Sequence, residues 1–274
     1  MNQTTAENLM KITQESYQKI ASSFSETRNF SWVEIDLAIE KYLKNNCKIL
    51  DLGCGNGRLL LSLKKYLENF DYTGVDSCLE LIKKAQLSFA SSQLSPLSFP
   101  RKRESRNIAF ERGDILNLTN FADNSFDCVF MIASFNHVAS VELREKLLLD
   151  VKRVLKPNGF LIMTNWNLWN VYNKKSVWSY ILSSRVEFQR SLGGTEGSHI
   201  FSGFPIRSGM TIKDVLTFWQ NQSPIYYHAF TLRELKKLLP KTNFKILANY
   251  YVKDGQKSFW FNGKNILTIG QKII

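Results

Sequence analysis

The sequence predicts an α/β fold with a mostly parallel sheet, because short apolar strands alternate with amphipathic helices along most of its length. A glycine-rich segment directly follows the first strand, and an acidic residue stands at the end of each of the next two. The chain has 274 residues, of which 44% are hydrophobic, so it can bury a full core. No apolar run approaches the roughly 20 residues of a membrane span, and no signal-peptide core is present near the start. We therefore expect a soluble, cytoplasmic protein.

The periodicity predicts elements in an order typical of such a sheet. Thr231 is the expected N-cap of the last helix, with Glu234 completing a capping box. The residues from Lys156 to Gly159 are expected to end the preceding helix. The predicted helices cover 7–20, 33–44, 143–155 and 231–239, and the later strands cover 108–115, 125–133, 160–164, 244–252 and 265–271. The predicted parts are cap helices (1–45), a core (46–165) with a mobile insertion (91–107), a recognition segment or lid (166–224), and a last helix with a terminal hairpin (225–274).

The glycine-rich segment indicates a nucleotide-cofactor loop. Gly53, Gly55 and Gly57 can let the backbone approach a ligand, and the following helix start presents free N–H groups. A dinucleotide fingerprint would require a glycine where this chain has Arg58, and it does not require Asp51 ahead of the loop. S-adenosylmethionine carries a cationic amino-acid end in place of a pyrophosphate, so Asp51 can contribute to its site. The alternative is a tight strand-to-helix turn that binds nothing.

Two further acids extend this site. Asp76 ends the second strand, 23 residues after Gly53, near the spacing at which a carboxylate reaches a ribose diol. Asp114 ends the third strand, where an adenine amino group could donate to it. Each acid alone is more often a helix cap or turn residue, but three in order, each at a strand end, favour a cofactor site.

These segments resemble the class I S-adenosylmethionine-dependent methyltransferases, in particular the type 11 group. The resemblance rests on ILDLGCGNG, GVDSCLELIKKA, GDILNL, NSFDCVFMIAS and RVLKPNGFLIMT, and it covers most of residues 20–170. It implies a Rossmann-like, seven-stranded, mostly parallel sheet with an antiparallel last strand, and S-adenosyl-L-methionine as cofactor. The cofactor-binding candidates are Arg28, Asp51, Gly53, Gly55, Gly57, Asp76, Ser77, Asp114, Ile115 and Ala133.

Two flanking motifs resemble those of wobble-uridine carboxymethyl tRNA methyltransferases and their bacterial relatives. They are FSETRNFSW at residues 24–32 and YYHAFT at residues 226–231. The chain departs from that pattern at Ser31, where proline is usual, at Ile225, where a basic residue is common, and at His137, which follows Asn136 instead of a second histidine. The resemblance implies carboxyl O-methylation of a tRNA base and a small activator protein as partner. The catalytic candidates are His137, Tyr227 and His228.

The distribution of charge favours the same substrate class. Residues 1–150 contain 18 Lys and Arg against 19 Asp and Glu, whereas residues 151–274 contain 18 against 5, a net charge of +13. Aromatic residues are interleaved with these basic residues, which suits a polyanion whose bases can stack. The alternative is a solvated basic face above ordinary core aromatics. The aromatics are Trp166, Trp169, Tyr172, Trp178, Trp219, Tyr226, Tyr227, Tyr250, Tyr251 and Trp260.

The chemistry leaves other functions open. Methyl transfer from a sulfonium is an in-line displacement, so a carboxylate substrate, already ionised at neutral pH, needs no base. A phenol, amine or enol would need one, and His137 or His228 could supply it. The alternatives are a methyltransferase of a small metabolite, quinone precursor or lipid head group, and a non-catalytic cofactor-binding partner protein. The four cysteines show no metal-ligand spacing, so we expect reduced thiols and no metal site.

We predict that deleting the insertion at residues 91–107 leaves cofactor affinity and turnover unchanged. This segment is rich in Ser, Pro and Arg, and it resembles translated palindromic-repeat insertions of some intracellular bacteria. It could also grip phosphate. Calorimetric titration with S-adenosylhomocysteine and measurement of methyl-transfer rates, for the full-length and the shortened chain, would check this. A lower rate in the shortened chain would assign the segment a role.

Overall fold

The computed structural model describes residues 1–28, 30–93, 107–170, 210–211, 213–219 and 223–273. Most of the predicted insertion at 91–107 and most of the predicted lid at 166–224 lie outside the described residues. None of the described helices is both long and apolar enough to cross a membrane. The described helices are α1 (Gln3–Glu26), α2 (Val33–Tyr42), α3 (Leu59–Tyr66), α4 (Leu79–Gln93), α5 (Val141–Val154) and α6 (Leu232–Lys241).

The described strands form one large sheet and one separate hairpin. A short 3-10 helix, Phe135–His137, follows the fourth strand. The strands are β1 (Cys47–Leu52), β2 (Phe70–Asp76), β3 (Ile108–Arg112), β4 (Phe126–Ile132), β5 (Leu155–Trp166), β6 (Asp214–Trp219), β7 (Ser223–His228), β8 (Phe244–Lys253), β9 (Gln256–Lys257) and β10 (Asn265–Lys272).

The large sheet has the order β3-β2-β1-β4-β5-β10-β8-β9. Strands β1 to β5 run parallel, and β10 runs antiparallel to both β5 and β8. This confirms the predicted mostly parallel sheet with an antiparallel last strand, and the two-residue β9 extends the predicted seven strands to eight. The chain builds outward from β1 to β3 and then returns to add β4 on the other side of β1. Ligands of such sheets bind where this reversal opens a crevice.

The two faces of the sheet bury different residues, as alternation along a strand requires. Leu50, Val129 and Leu161 pack on the side of α5 and α6. Ile49 and Phe130 pack on the opposite side, against α2 and α3. Burial on both faces fixes the register of β1 against β4, and therefore the position of the loops at their carboxyl ends.

The hairpin of β6 and β7 was not predicted, and it crosses the expected boundary at residue 225. The hairpin packs against α1, a helix that is longer than predicted. Ser16 Oγ donates to the Pro224 carbonyl at 2.6 Å, and Tyr226 N donates to Thr13 Oγ1 at 3.0 Å. The hairpin strands therefore depend on a helix some 200 residues earlier, which local sequence patterns do not reveal.

Three local predictions need correction. The residues from Lys156 to Gly159 do not separate a helix from a strand, because β5 already begins at Leu155 and holds Asn158 at a positive φ of 63°. The third strand ends at Arg112, not at residue 115. The capping box is half correct: Thr231 Oγ1 accepts from Glu234 N at 3.2 Å, but the Glu234 carboxylate turns to His228 and Lys213.

We predict that Thr231→Ala lowers the free energy of unfolding by about 1 kcal/mol, because it removes the hydroxyl that caps α6. Thr231→Ser keeps that hydroxyl and serves as the matched control. Urea denaturation of the three chains measures the difference. Equal losses in both variants would show that the methyl group, not the cap, stabilises this position.

Candidate active site

A cleft opens at the carboxyl edge of the sheet, between the loops after β1, β2 and β4 and a cover formed by α1 and the β6–β7 hairpin. It encloses about 1200 Å³, including the part open to solvent. Of the thirteen site residues predicted from sequence, those that line it are Arg28, Gly53, Gly55, Asp76, Ser77, Asp114, Ile115, Ala133, His137 and Tyr227. The remaining three, Asp51, Gly57 and His228, lie elsewhere.

The glycine loop is held close to its neighbours on both sides. Gly53 has φ +80°, and a Cβ there would overlap Ser134, which follows β4. Gly53 N donates to the Val75 carbonyl at 2.8 Å, which ties the loop to β2. Gly57 has φ +76° and faces the Phe110 ring, so it shapes the turn and does not line the cleft.

Asp76 faces the loop from the end of β2. Its Oδ2 accepts from Gly55 N at 2.9 Å, and its Oδ1 accepts from Cys78 N at 2.8 Å. Burial raises the pKa of this carboxyl, and the two N–H donors oppose that rise. A carboxylate in the cleft, oriented by two backbone donors, can accept from a sugar diol.

An acid and a base, each with one buried polar atom that lacks a hydrogen-bond partner among the described residues, line an adjoining pocket behind the loop. Tyr72 donates to Asp51 Oδ2 at 2.8 Å, while Asp51 Oδ1 and Arg58 Nη1 are buried without a hydrogen-bond partner among the described residues. Burial raises the pKa of Asp51 to about 7 and lowers the pKa of Arg58 to about 10. The Arg58 guanidinium also lies 4.3 Å from the centre of the Trp32 ring. The two orphaned groups match the ammonium and carboxylate of an amino acid.

Asp114 and Ile115 line the cleft at the end of β3. Asp114 Oδ1 accepts from Leu116 N at 2.9 Å, so the carboxylate also shapes its own turn. On the opposite wall, Ala133 directly follows β4 with a positive φ of 54°, a conformation that is costly for a residue with a Cβ. Ala133 N donates to the Thr164 carbonyl at 2.9 Å, which fixes the start of the β4 loop beside the cleft.

His137 is in the cleft but is held as a neutral ring. Its Nδ1 lies 2.7 Å from the Tyr226 carbonyl and therefore carries the proton, and its Nε2 accepts from the Tyr17 hydroxyl at 3.1 Å. Burial lowers the pKa of His137 to about 4. The Tyr227 ring lies 4.6 Å from the His137 ring, centre to centre. Burial also raises the pKa of Tyr17 and Tyr227, so these hydroxyls stay protonated.

His228 does not face the cleft, and the prediction that it contacts the reacting group does not match its position. Its Nδ1 lies 3.1 Å from Asp214 and its Nε2 lies 2.7 Å from Glu234. Glu234 also accepts from Lys213 at 2.9 Å. Both ring nitrogens of His228 therefore serve a buried network that joins the hairpin to α6.

Sequence reasoning missed several residues of the cleft. The α1 residues Met10, Gln14 and Tyr17 line it, although the helix was expected only to cap the core. Their spacing of three to four residues, with Tyr17 between polar neighbours, was the available signal. Arg58 was considered only because it stands where a dinucleotide fingerprint would require a glycine. The four cysteines are buried and free, and within the described ranges no group of His, Cys, Asp and Glu could hold a metal ion.

Residues 50–163 match the family model described as a methyltransferase domain. The S-adenosylmethionine-dependent methyltransferase of Methanosarcina mazei has the same fold, with a TM-score of 0.61 at 24% identity over 86% of this chain and 97% of that one. A protein of Encephalitozoon cuniculi named as a methyltransferase is 27% identical over 233 residues, which are 84% of this chain and 86% of that one. Residues 50–163 therefore form a methyltransferase domain, in a chain with the fold of S-adenosylmethionine-dependent methyltransferases.

Other relatives share only part of their length with this methyltransferase. It spans about half of two fungal relatives that are 31% identical to it, from Schizosaccharomyces pombe and Aspergillus luteorubrus. The tRNA (carboxymethyluridine(34)-5-O)-methyltransferase of Arabidopsis thaliana is 29% identical over 60% of this chain and 34% of that one. A Haloferax volcanii methyltransferase, solved in complex with the activator Trm112, has a TM-score of 0.62 at 14% identity, over 96% of this chain and 98% of that one.

We predict that the methyltransferase binds S-adenosylhomocysteine more tightly as the pH rises from about 5.5 to 7. Asp51 has its pKa raised to about 7, so below that pH a proton must leave before the carboxylate can pair with the ligand's ammonium. Affinity should fall up to about tenfold for each pH unit below 7. Titration calorimetry measures it, and Asp51→Asn should flatten the profile. The same slope in that variant would remove Asp51 as its source.

Proposed function

We propose that this methyltransferase transfers the methyl group of S-adenosylmethionine to a carboxylate carried by a planar base of tRNA, as on a modified wobble uridine. The observation that carries the proposal is the substrate end of the cleft. It combines aromatic walls, an arginine and a histidine that is neutral and weakly basic.

The aromatic walls suit a flat ring. Arg28 lies among them, with its guanidinium carbon 4.8 Å from the centre of Phe24 and 5.9 Å from that of Trp219. Rings that stack on a base and a cation that pairs with its carboxylate are the groups such a substrate requires. The aromatic side chains that line the cleft are Tyr17, Phe24, Trp32, Trp166, Trp219 and Tyr227.

A carboxylate substrate also fits the weak basicity of His137, the candidate proton acceptor near these rings among the described residues. His137, with its pKa lowered to about 4 and its Nε2 bonded to Tyr17, is a poor base at neutral pH. A carboxylate needs no base, because it is ionised before it reaches the site. His137 and Tyr17 then position the hairpin and the substrate ring. Tyr227, next to His137, faces the same space.

We also assign roles toward the cofactor, which supplies a methyl group on a positively charged sulfur. Asp76 accepts from the ribose hydroxyls, and Asp114 with Ile115 borders the adenine. Asp51 and Arg58 hold the ammonium and carboxylate, and the backbone around Gly53 and Gly55 lies against the methionine chain. The support is that Asp51 Oδ1 and Arg58 Nη1 are buried behind the loop and have no hydrogen-bond partner among the described residues.

Relatives supply the tRNA part of the proposal. The Arabidopsis relative named for carboxymethyluridine 34 of tRNA matches this chain over 60% of its length. The excess of basic residues in 151–274 suits a polyanion, although part of that segment, including the predicted lid, lies outside the described residues. The Haloferax structure favours a small activator protein as a further partner. We propose a cytoplasmic location, which suits such a substrate.

The direct test is to incubate the purified chain with methyl-labelled S-adenosylmethionine and small RNA from the organism that encodes it. The products are then counted with and without nuclease treatment. Nuclease-sensitive label that is released by mild alkali, as a methyl ester is, supports the proposal. Label that extracts into organic solvent would instead assign a small-molecule or lipid substrate, and label in RNA that resists alkali would exclude a carboxylate.

We predict that Arg28→Met lowers kcat/KM for the RNA substrate by about 10- to 150-fold, because a hydrogen-bonded charge is worth roughly 1.5–3 kcal/mol. Arg28→Lys keeps the charge and should lose less. Cofactor affinity, measured by calorimetry, should stay within about twofold if Arg28 serves the substrate. A large loss of cofactor affinity would place Arg28 at the cofactor carboxylate instead.

A further inference from the structure

An ordered turn beside the cleft exposes three consecutive aromatic side chains. Phe259, Trp260 and Phe261 lie between β9 and β10 and are 67%, 49% and 38% exposed. The rings of Phe259 and Phe261 are parallel within 4°, with centres 5.6 Å apart, and the Trp260 ring stands at 90° to that of Phe261. Aromatic side chains that remain exposed to water do not gain the free energy of burial. A cluster of exposed rings therefore indicates a binding surface.

Buried amides hold the turn in place. Asn167 Nδ2 donates to the carbonyls of Trp260 at 2.7 Å and Gly263 at 2.8 Å, and Asn170 Nδ2 donates to Gly263 at 3.0 Å. Gly263 N closes the turn on the Phe259 carbonyl at 2.8 Å. Because the backbone is already ordered, little conformational entropy remains to be lost when the rings bind a partner.

The turn is joined directly to the cleft. Asn167, which anchors it, lies between Trp166 and Leu168, and both of these line the cleft. Trp166 also pairs with Asn265, the first residue of β10. The exposed rings therefore lie at the same edge of the sheet as the cleft. A polymeric substrate that places one of its residues in the cleft can place a neighbouring residue on the turn.

The charge around the turn selects the partner. Lys253, Lys257 and Lys264 are exposed, and Asp254, the one acid in residues 253–264, pairs with Lys264 at 2.6 Å. Three lysines against one aspartate leave a net charge of +2 on this segment. Exposed aromatic faces beside lysines are what single-stranded nucleic acids need, since bases stack on the rings while phosphates meet the cations.

We infer that residues 257–264 form a docking platform for unpaired nucleotides that flank the target nucleotide of the RNA substrate. This inference rests on the proposed RNA substrate and adds a second contact to it. The cleft takes the base that is methylated, while Phe259, Trp260 and Phe261 take its neighbours. Lys257 and Lys264 lie near the phosphates of those neighbours.

The test uses the full chain, a Trp260→Ala variant and a Phe259→Ala/Phe261→Ala variant. Fluorescence anisotropy with a labelled oligouridylate of about twelve nucleotides should show about 5- to 100-fold weaker binding in both variants. Leu87→Ala, at a side chain 70% exposed on α4, is the control and should bind normally. Lys257→Gln should reduce the dependence of log affinity on log salt by about one unit.

A kinetic measurement separates docking from a structural role. With tRNA, the ring variants should raise KM and keep kcat, and with the free modified nucleoside they should match the unaltered chain. Unchanged RNA affinity, or an equal loss with the nucleoside, would overturn the platform. If the chain methylates tRNA and the variants behave normally, only the platform fails. If the variants lose oligouridylate binding but tRNA is never methylated, the turn still binds single-stranded RNA, whereas the proposed tRNA substrate fails and the flanking-nucleotide role fails with it. Unaltered RNA binding with loss of self-association would assign the turn to a second copy of the chain.

Discussion

The site depends on the point where the sheet stops growing in one direction and begins to grow in the other. Because β4 is added beside β1 after β2 and β3, the loops that follow β1 and β4 meet at one edge and turn to opposite faces. Gly53 lets them approach, since any side chain there would occupy the space of Ser134. A second contact, from Gly53 N to the Val75 carbonyl, ties the loop to β2 and accompanies the bond from Gly55 N to Asp76. The positions of the loop and of the acid thus depend on close contacts of Gly53 with both neighbouring segments.

The cover of the site depends on a different kind of interaction. Strands β6 and β7 bury little by themselves, and a two-stranded hairpin is marginal without a partner. Their partner is α1, through the Ser16 and Thr13 hydroxyls and through Trp219 Nε1, which donates to Ser23 Oγ at 3.1 Å. His137 joins the same assembly by its bond to the Tyr226 carbonyl. His137, which the sequence suggested as a base, therefore helps to hold the hairpin over the cleft.

The features that could be predicted from sequence are those that depend on residues close together in the chain. Glycines with positive φ and acids at strand ends are set by a few neighbouring residues, so Gly53, Asp76 and Asp114 could be found from spacing alone. The parallel order of the strands followed from their alternation with helices. The hairpin, the place of α1 and the fate of His228 could not be found in this way, because they depend on contacts between residues far apart in the chain. The two carboxylates around His228 come from β6 and α6, and nothing adjacent in sequence reveals that pair.

Asp51 Oδ1 and Arg58 Nη1 are buried behind the glycine loop without a hydrogen-bond partner in the described part of the chain, and this restricts what can bind there. A ligand with both an ammonium and a carboxylate satisfies Asp51 and Arg58 together, whereas a ligand with only one leaves a charged group buried and unpaired, at a cost of several-fold to several-hundred-fold in affinity. With the cofactor contacts proposed above, a sulfonium that keeps the amine but lacks the carboxylate would leave Arg58 Nη1 buried and unpaired. The pocket would then distinguish two sulfonium compounds by a group far from the methyl that is transferred.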